Sequence, residues 1–284
     1  MALINSCVNG EVSSSISIQD RGFNYGDGVF ETIAVINQKL IFWKQHFQRL
    51  ILGCNALGIQ CPTELELNVD IDKLLKVNIE NTALVIKIII TRGNSGRGYR
   101  ISEKSEPNVV VLLSSFPVYP SSFWLEGIKV TCCKTILSKQ KQLAGVKHLN
   151  RLEQVLARQE WDDEFQEGLM SDEDGYVIEG VMSNLFLVKN NSIVTPCIEN
   201  SGIDGIMRNV VLNLCESSGI IVKQDKVTLE QVLDADEVFL TNSIVGIWPV
   251  NTIDKHIFSI GVTTKKLMTS LIKEHLVDYA ALSL

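Results

Sequence analysis

The sequence has no uninterrupted apolar run near the roughly 18–20 residues that a membrane-spanning helix needs. The apolar run 83–90 is short and contains Lys87. Positive charge is scarce too, because 26 Lys and Arg stand against 33 Asp and Glu, which gives a formal charge of −7. Binding to nucleic acid needs a surplus of basic residues. Residues 1–8 also lack the features of a signal peptide. We therefore expect a cytoplasmic protein that binds neither membranes nor nucleic acid.

Several binding and catalytic motifs are missing as well. The seven cysteines and four histidines include no Cys-x-x-Cys and no His-x-x-x-His, so we expect reduced thiols and no zinc site. There is no Walker loop, no Gly-x-Gly-x-x-Gly and no Gly-x-Ser-x-Gly, which argues against nucleotide, dinucleotide and α/β-hydrolase chemistry. The absence of a repeat of 20–50 residues excludes solenoids and propellers.

What remains is an ordinary globular composition, with 284 residues of which 45% are hydrophobic and 21% charged. Residues 114–122 contain two prolines and four serines and show little periodicity, which is typical of a linker. We therefore predict an α+β protein of two domains. The smaller domain would span 1–114 and the linker 115–122, and the larger domain, 123–284, would carry the lysine discussed below.

The spacing of apolar residues predicts both strands and helices in each half. Asn37-Gln38 is predicted as a hairpin turn, and Gly58 as the end of a helix. Strands are predicted at 12–18, 29–36, 40–43, 84–90, 109–113, 128–135, 176–179, 185–189, 192–195 and 237–241. Helices are predicted at 47–57, 71–79, 149–161 and 263–281, with another that begins near Gly205.

Two ionisable residues in apolar surroundings are candidates for catalysis. Lys147 follows the apolar segment 143–146 at the predicted start of a helix. Desolvation there lowers the pKa of the amine and leaves it able to attack a carbonyl, although a lysine at a helix start can also reach water. Glu179 lies between apolar residues. If it is buried it needs a cationic partner, either an arginine or a protonated pyridine nitrogen.

Three further features could bind anions. The loop 92–100 holds three glycines and three arginines, which suits a carboxylate, although a solvated loop has the same composition. The segment 202–208 precedes a helix whose first amides attract phosphate, as those of any helix do. Arg49 lies beside the apolar face of the helix 47–57, where an arginine either reaches water or binds phosphate. None of these features alone names an activity.

Together they resemble a known family. Residues 20–32 resemble the N-terminal signature of the fold-type IV pyridoxal-phosphate enzymes, and the resemblance extends over 20–250. This family contains branched-chain aminotransferases, D-amino-acid aminotransferases and aminodeoxychorismate lyases. The run 145–154, Gly-Val-Lys-His-Leu-Asn-Arg-Leu-Glu-Gln, is its most specific part and looks like the lyase version of the lysine motif. The segment 91–99 also looks lyase-like.

The resemblance implies pyridoxal 5'-phosphate as cofactor, with Lys147 as the residue bonded to it and Glu179 at its pyridine nitrogen. Its phosphate would be held by Arg49, the backbone amides of Ile206 and Met207, and Ser243. Aminotransferases often have a threonine in place of Met207, so only the backbone amide is expected to contribute there. The substrate-binding residues would be Arg97, Tyr99, Phe30 and Thr32. His148, Asn150 and Arg151 also fit the lyase pattern.

The resemblance further implies a homodimer that acts on a small molecule. The expected reaction is the conversion of 4-amino-4-deoxychorismate to pyruvate and 4-aminobenzoate, a folate precursor. Lys147 would be the general base. The alternatives are a D-amino-acid or branched-chain aminotransferase of the same fold, and a protein that binds the cofactor without turnover.

Overall fold

The computed structural model describes residues 2–78, 82–102 and 105–275. Its contacts divide the chain into two units, and each is described by itself. The first unit consists of Met1–Pro117 and Val146–Asn150, and the second of Val118–Gly145 and Arg151–Leu284. Lys147 was predicted to lie in the larger second domain, whereas the contacts group it with the first unit.

The first unit is built on a six-stranded antiparallel sheet with the strand order β2-β1-β6-β5-β3-β4. The strands are β1 (Leu3–Val8), β2 (Glu11–Val12), β3 (Gly28–Ile36), β4 (Lys39–Leu40), β5 (Ala83–Thr91) and β6 (Asn108–Ser115). The helices are α1 (Arg21–Tyr25), α2 (Trp43–Leu57) and α3 (Glu64–Lys76). Alternate residues of β3 join the core, among them Val29, Ile33 and Val35, and the same core contains apolar residues of α2 and α3.

Local sequence explains several element boundaries in this unit. Asn37 and Gln38 have φ angles of 47° and 63°, as the tight turn between β3 and β4 requires. Helix α2 ends at Gly58, whose φ of 63° suits glycine. Helix α3 begins with a capping box in which Thr63 and Glu66 satisfy each other's backbone N–H groups.

Some predicted boundaries were wrong. The strand predicted at 12–18 ends at Val12, because the hydroxyls of Ser13 and Ser17 accept hydrogen bonds from backbone amides two residues on. The strand predicted at 40–43 ends at Leu40, and α2 begins at Trp43. The helix predicted at 71–79 runs from Glu64 to Lys76, and its predicted last residue, Ile79, lies outside the described residues.

The second unit contains a nine-stranded sheet with the order β12-β11-β10-β13-β14-β7-β8-β9, and β15 pairs with β14. Its strands are β7 (Ile128–Cys132), β8 (Glu167–Ser171), β9 (Val177–Gly180), β10 (Asn184–Lys189), β11 (Ser192–Pro196), β12 (Val222–Asp225), β13 (Glu237–Asn242), β14 (Gly246–Ile253) and β15 (His256–Ile257). Its helices are α4 (Ser122–Leu125), α5 (Leu152–Arg158), α6 (Ile206–Ser217), α7 (Leu229–Leu233) and α8 (Val262–His275). Pairing of Glu179 with Asn184 joins β9 to β10, so the sheet closes on itself.

The helices of the second unit also differ from the prediction. The helix predicted at 149–161 is confined to Leu152–Arg158, and Lys147 therefore does not lie at its start. Residues 276–281 of the predicted last helix lie outside the described residues. None of the helices described by the structure is long and apolar enough to cross a bilayer.

Candidate active site

Lys147 lies in an extended segment that pairs with β3. The amide of Phe30 donates to the carbonyl oxygen of Lys147 at 3.0 Å, and the amide of Leu149 donates to that of Gly28 at 2.9 Å. Val29 and His148 form the antiparallel bridge between these bonds. Because the carbonyl group of Lys147 and the amide of Leu149 are both bonded to β3, the backbone that carries the Lys147 side chain is held more firmly than in a loop.

The side-chain nitrogen of Lys147 lies over the ring of Phe30, with 4.5 Å between Nζ and the ring centroid. Lys87, on the neighbouring strand β5, places its own Nζ 4.8 Å from the same centroid. Burial lowers the pKa of Lys87. Thr32 is paired with Lys87 across the two strands and is half-buried, as Phe30 is. The predicted residues Phe30 and Thr32 therefore share one face of the sheet with two lysines, of which Lys87 was not predicted as a site residue.

The opposite face of β3 carries a buried charge cluster. Glu31 is 1% exposed and accepts hydrogen bonds from Arg49 Nε at 2.8 Å and Nη2 at 2.6 Å, and from His46 Nδ1 at 2.7 Å. Burial alone would raise the pKa of Glu31, but the charge and hydrogen bonds of Arg49, helped by His46, lower it to about 2. Burial lowers the pKa of His46. Arg49, predicted to bind phosphate, is thus held in one orientation by a carboxylate.

The arginines of the loop 92–100 do not act as one group. Arg92 is buried, is paired with Asp27 at 2.8 Å, and donates to the carbonyl oxygens of Leu57 and Gly58. Its role is therefore structural, contrary to the prediction that all three arginines could bind an anion. Arg97 and Tyr99 are exposed.

In the second unit, Glu179 is almost completely buried on β9. Its Oε2 accepts a hydrogen bond from the amide of Ile203 at 2.8 Å. A Cβ on Gly202 would lie 3.3 Å from the same oxygen and 2.7 Å from Ile178, and Gly202 has a φ of +87°, so glycine is needed beside this carboxylate. Burial lowers the pKa of Arg151, while the negative charge of Glu179 opposes this shift.

Helix α6 begins at Ile206, and its N-cap residue, Gly205, has no side chain that could cap the helix. A Cβ on Gly205 would meet Asn184 Oδ1 at 1.9 Å, so this helix start also requires glycine. The side chains of Ile206 and Met207 are buried in the core. They can offer an anion only their backbone amides, as expected for Met207. Ser243 is half-buried in the turn between β13 and β14.

The structure thus distributes the predicted residues over both units. The first unit holds six of them, namely Lys147, Arg49, Phe30, Thr32, Arg97 and Tyr99, and the second holds Glu179, Ile206, Met207 and Ser243. Glu31 and His46 were not predicted as site residues. Glu31 occupies the inward phase of an alternating apolar strand, where a carboxylate demands a cationic partner. That pattern could have identified it.

A match to a known family identifies the class of protein to which this fold belongs. The chain belongs to the amino-transferase class IV family, whose match covers residues 28–253.

Within that family, the chain is similar to lyases. It is 37% identical over 269 residues to the aminodeoxychorismate lyase of Vibrio harveyi, covering 93% of this chain and 98% of that protein. The crystal structure of 4-amino-4-deoxychorismate lyase from Pseudomonas aeruginosa superposes with a TM-score of 0.89 at 39% identity, covering 95% of this chain and 98% of that one. The D-alanine aminotransferase of Bacillus licheniformis is 29% identical over 262 residues, with 90% of each chain covered. The predicted family and the predicted α+β fold are confirmed.

Proposed function

We propose that the protein is a cytoplasmic, pyridoxal-phosphate-dependent lyase that converts 4-amino-4-deoxychorismate to 4-aminobenzoate and pyruvate. The observation that carries the proposal is the position of Lys147, which two backbone hydrogen bonds fix beside Phe30 within the lyase-like run 145–154. The similarity to two proteins that are named aminodeoxychorismate lyases supports a lyase over an aminotransferase.

The residues present fit the cofactor. Glu179 is a buried carboxylate, and a protonated pyridine nitrogen is a suitable cationic group to lie beside one. The uncapped start of α6 offers the backbone amides of Ile206 and Met207 to a phosphate, with Ser243 as a further hydroxyl donor. Arg49 would be the charged phosphate ligand. When bound, the cofactor supplies an electron sink for charge that develops next to the substrate amine.

The protein's own task is then proton transfer. In its neutral form, Lys147 Nζ would remove the proton from the ring carbon that bears the amine. Loss of that proton makes the ring aromatic and releases the enolpyruvyl group, which takes up a proton and leaves as pyruvate. Lys147 Nζ and Lys87 Nζ lie 4.5 and 4.8 Å from the centroid of the Phe30 ring, so the ring is a shared neighbour of both amines.

The substrate carries two carboxylates and a ring. Arg97 and Tyr99 would bind a carboxylate, since both are exposed on the loop that follows β5. Phe30 and Thr32 would contact the ring and its hydrogen-bonding groups from the sheet face that also carries Lys147. We further propose a homodimer, which gel filtration at several protein concentrations tests. A monomer at every concentration would contradict it.

The decisive experiment supplies 4-amino-4-deoxychorismate to the cofactor-loaded protein without any amino acceptor. Pyruvate and 4-aminobenzoate should form in equal amounts. If product forms only after a keto acid is added, the protein is an aminotransferase. If no product forms under either condition while the cofactor is bound, the protein binds the cofactor without turnover and the proposal fails.

A further inference from the structure

The loop that carries Arg97 and Tyr99 depends on a buried arginine outside it. Arg21, the first residue of α1, is only 4% exposed, whereas Tyr99 is 83% exposed. Arg21 Nη1 donates to Ser95 Oγ at 3.2 Å and to the carbonyl oxygen of Gly98 at 3.0 Å, and Nη2 donates to that of Tyr99 at 3.4 Å. One rigid guanidinium thus contacts three residues of a five-residue stretch, 95–99.

A second contact holds the same loop from α1. The Tyr25 hydroxyl accepts a hydrogen bond from the amide of Gly98 at 3.2 Å, so both the N–H and the C=O of Gly98 are bound. Gly98 has a φ of +91°, a conformation that favours glycine. The rings of Tyr25 and Tyr99 lie 5.4 Å apart, and the guanidinium carbon of Arg21 lies 5.0 Å from the Tyr25 ring.

Arg21 is itself held in place. Its amide donates to the carbonyl oxygen of Gly93 at 2.9 Å, and its Nε donates to Asp27 Oδ2 at 2.8 Å. Burial would raise the pKa of Asp27, but hydrogen bonds from Arg92 and Arg21 outweigh it and lower the pKa. Asp27 therefore remains ionised and pairs with both buried guanidinium groups, those of Arg21 and Arg92.

We propose that Arg21 is a positioning residue that fixes the segment 95–99, so that Arg97 and Tyr99 meet a substrate carboxylate in one orientation. The proposal rests on the proposed function only through the carboxylate-binding role of these two residues. If the segment 95–99 is already ordered before the substrate binds, binding loses no free energy to ordering it. Arg21 therefore acts on affinity for the carboxylate and not on the chemical step.

The test compares Arg21→Lys and Arg21→Gln with the wild type, and uses Arg208→Lys as the matched control. Arg208 is equally buried in the second unit and also donates to a backbone carbonyl oxygen. Lysine keeps the charge but cannot bridge three acceptors and Asp27 at once. Hydrogen exchange, measured by mass spectrometry on peptides covering 93–100, should be about tenfold faster in both Arg21 variants. The control variant, Arg208→Lys, should leave hydrogen exchange in 93–100 unchanged.

The second measurement is the dissociation constant for 4-aminobenzoate, which requires no turnover, together with KM and kcat for 4-amino-4-deoxychorismate. The dissociation constant and KM should rise about tenfold, while kcat stays within about threefold. Unchanged exchange in 93–100 overturns the proposal. So does faster exchange with unchanged affinity, or a fall in kcat at constant KM.

Two further comparisons separate a failure of the proposed function, or of folding, from a failure of the role proposed for Arg21. If the wild type binds 4-aminobenzoate but forms no product, the proposed function fails while the exchange and affinity results still decide the role of Arg21. If the Arg21 variants do not fold, Tyr25→Phe removes only the hydroxyl that accepts from Gly98. That variant should speed exchange at Gly98 alone, and unchanged exchange there contradicts the proposal.

Discussion

Replacing Glu31 by Gln is the most direct test of the buried charge cluster on β3. The change is nearly isosteric, but it puts an amide group where Arg49 and His46 both direct N–H donors. Since the pKa of Glu31 is lowered from 4.5 to about 2, its ionised form contributes roughly 3 kcal/mol to stability at neutral pH. Breaking a buried ion pair by removing one partner costs a similar amount, about 3–5 kcal/mol.

The sign of the pH dependence follows from the lowered pKa of Glu31. Its contribution is complete above pH 4.5 and is lost as the pH falls towards 2. Urea denaturation at pH 7, followed by circular dichroism, should therefore show a loss of about 3 kcal/mol for Glu31→Gln, and the gap from the wild type should shrink in acid. Glu164→Gln, at an exposed ion pair with Lys129, is the control. A loss below about 1 kcal/mol at pH 7, or a gap independent of pH, would refute this reasoning.

Three further outcomes are expected. Lys147→Ala should lower kcat by about a thousandfold or more and abolish the visible absorption of the cofactor-loaded protein, and full activity would contradict its role. His46→Gln should flatten the stability profile just below pH 6.5, because burial lowers the pKa of His46 and the wild type loses stability as the pH falls; an unchanged profile in denaturation series would count against this. Gly205→Ala adds a Cβ that would meet Asn184 at 1.9 Å. It should raise the dissociation constant for pyridoxal phosphate about tenfold, as measured by absorbance titration. Pyridoxal, which lacks the phosphate, should be unaffected, and Gly96→Ala, with no neighbour within 4 Å, should change neither.

The elements that the sequence predicts well are those determined by local patterns. The apolar spacing of 47–57 and the stop at Gly58 reproduce the C-terminal part and end of α2, and Asn37-Gln38 forms the predicted turn. Strand β1 was missed because its apolar alternation is weak and its register depends on β6, about a hundred residues further along the chain. Such non-local pairing leaves no local signal.

The segment around Lys147 shows how tertiary contacts override a periodic pattern. Leu149, Leu152 and Val155 have helical spacing, which extended the predicted helix back to Leu149. In the structure the backbone of Val146–Asn150 instead bonds to β3, and α5 begins only at Leu152. The chemical setting and the motif single out Lys147 as a predicted catalytic residue, but the element that positions it could not be predicted from periodicity.

The two buried arginines of the first unit illustrate the limits of composition. Arg92 belongs to a glycine- and arginine-rich loop that suggests anion binding, yet it supports the end of α2 through the carbonyl oxygens of Leu57 and Gly58. Arg21 was not predicted as a ligand, yet it contacts three residues of that loop. Which arginine faces a ligand and which supports the backbone depends on burial, and residue type does not report burial.

The pairing of Arg49 with Glu31 bears on how the proposed phosphate site would work. Burial lowers the pKa of His46, which favours its neutral form, so the charge of Arg49 is already balanced by that of Glu31. A phosphate would therefore gain little net attraction from this cluster and would depend on directed N–H donors. The backbone amides at the start of α6 are directed donors as well, and the helix dipole gives them only a partial positive charge. Phosphate binding would accordingly depend more on the exact placement of donors than on positive charge, in keeping with a chain that is acidic overall.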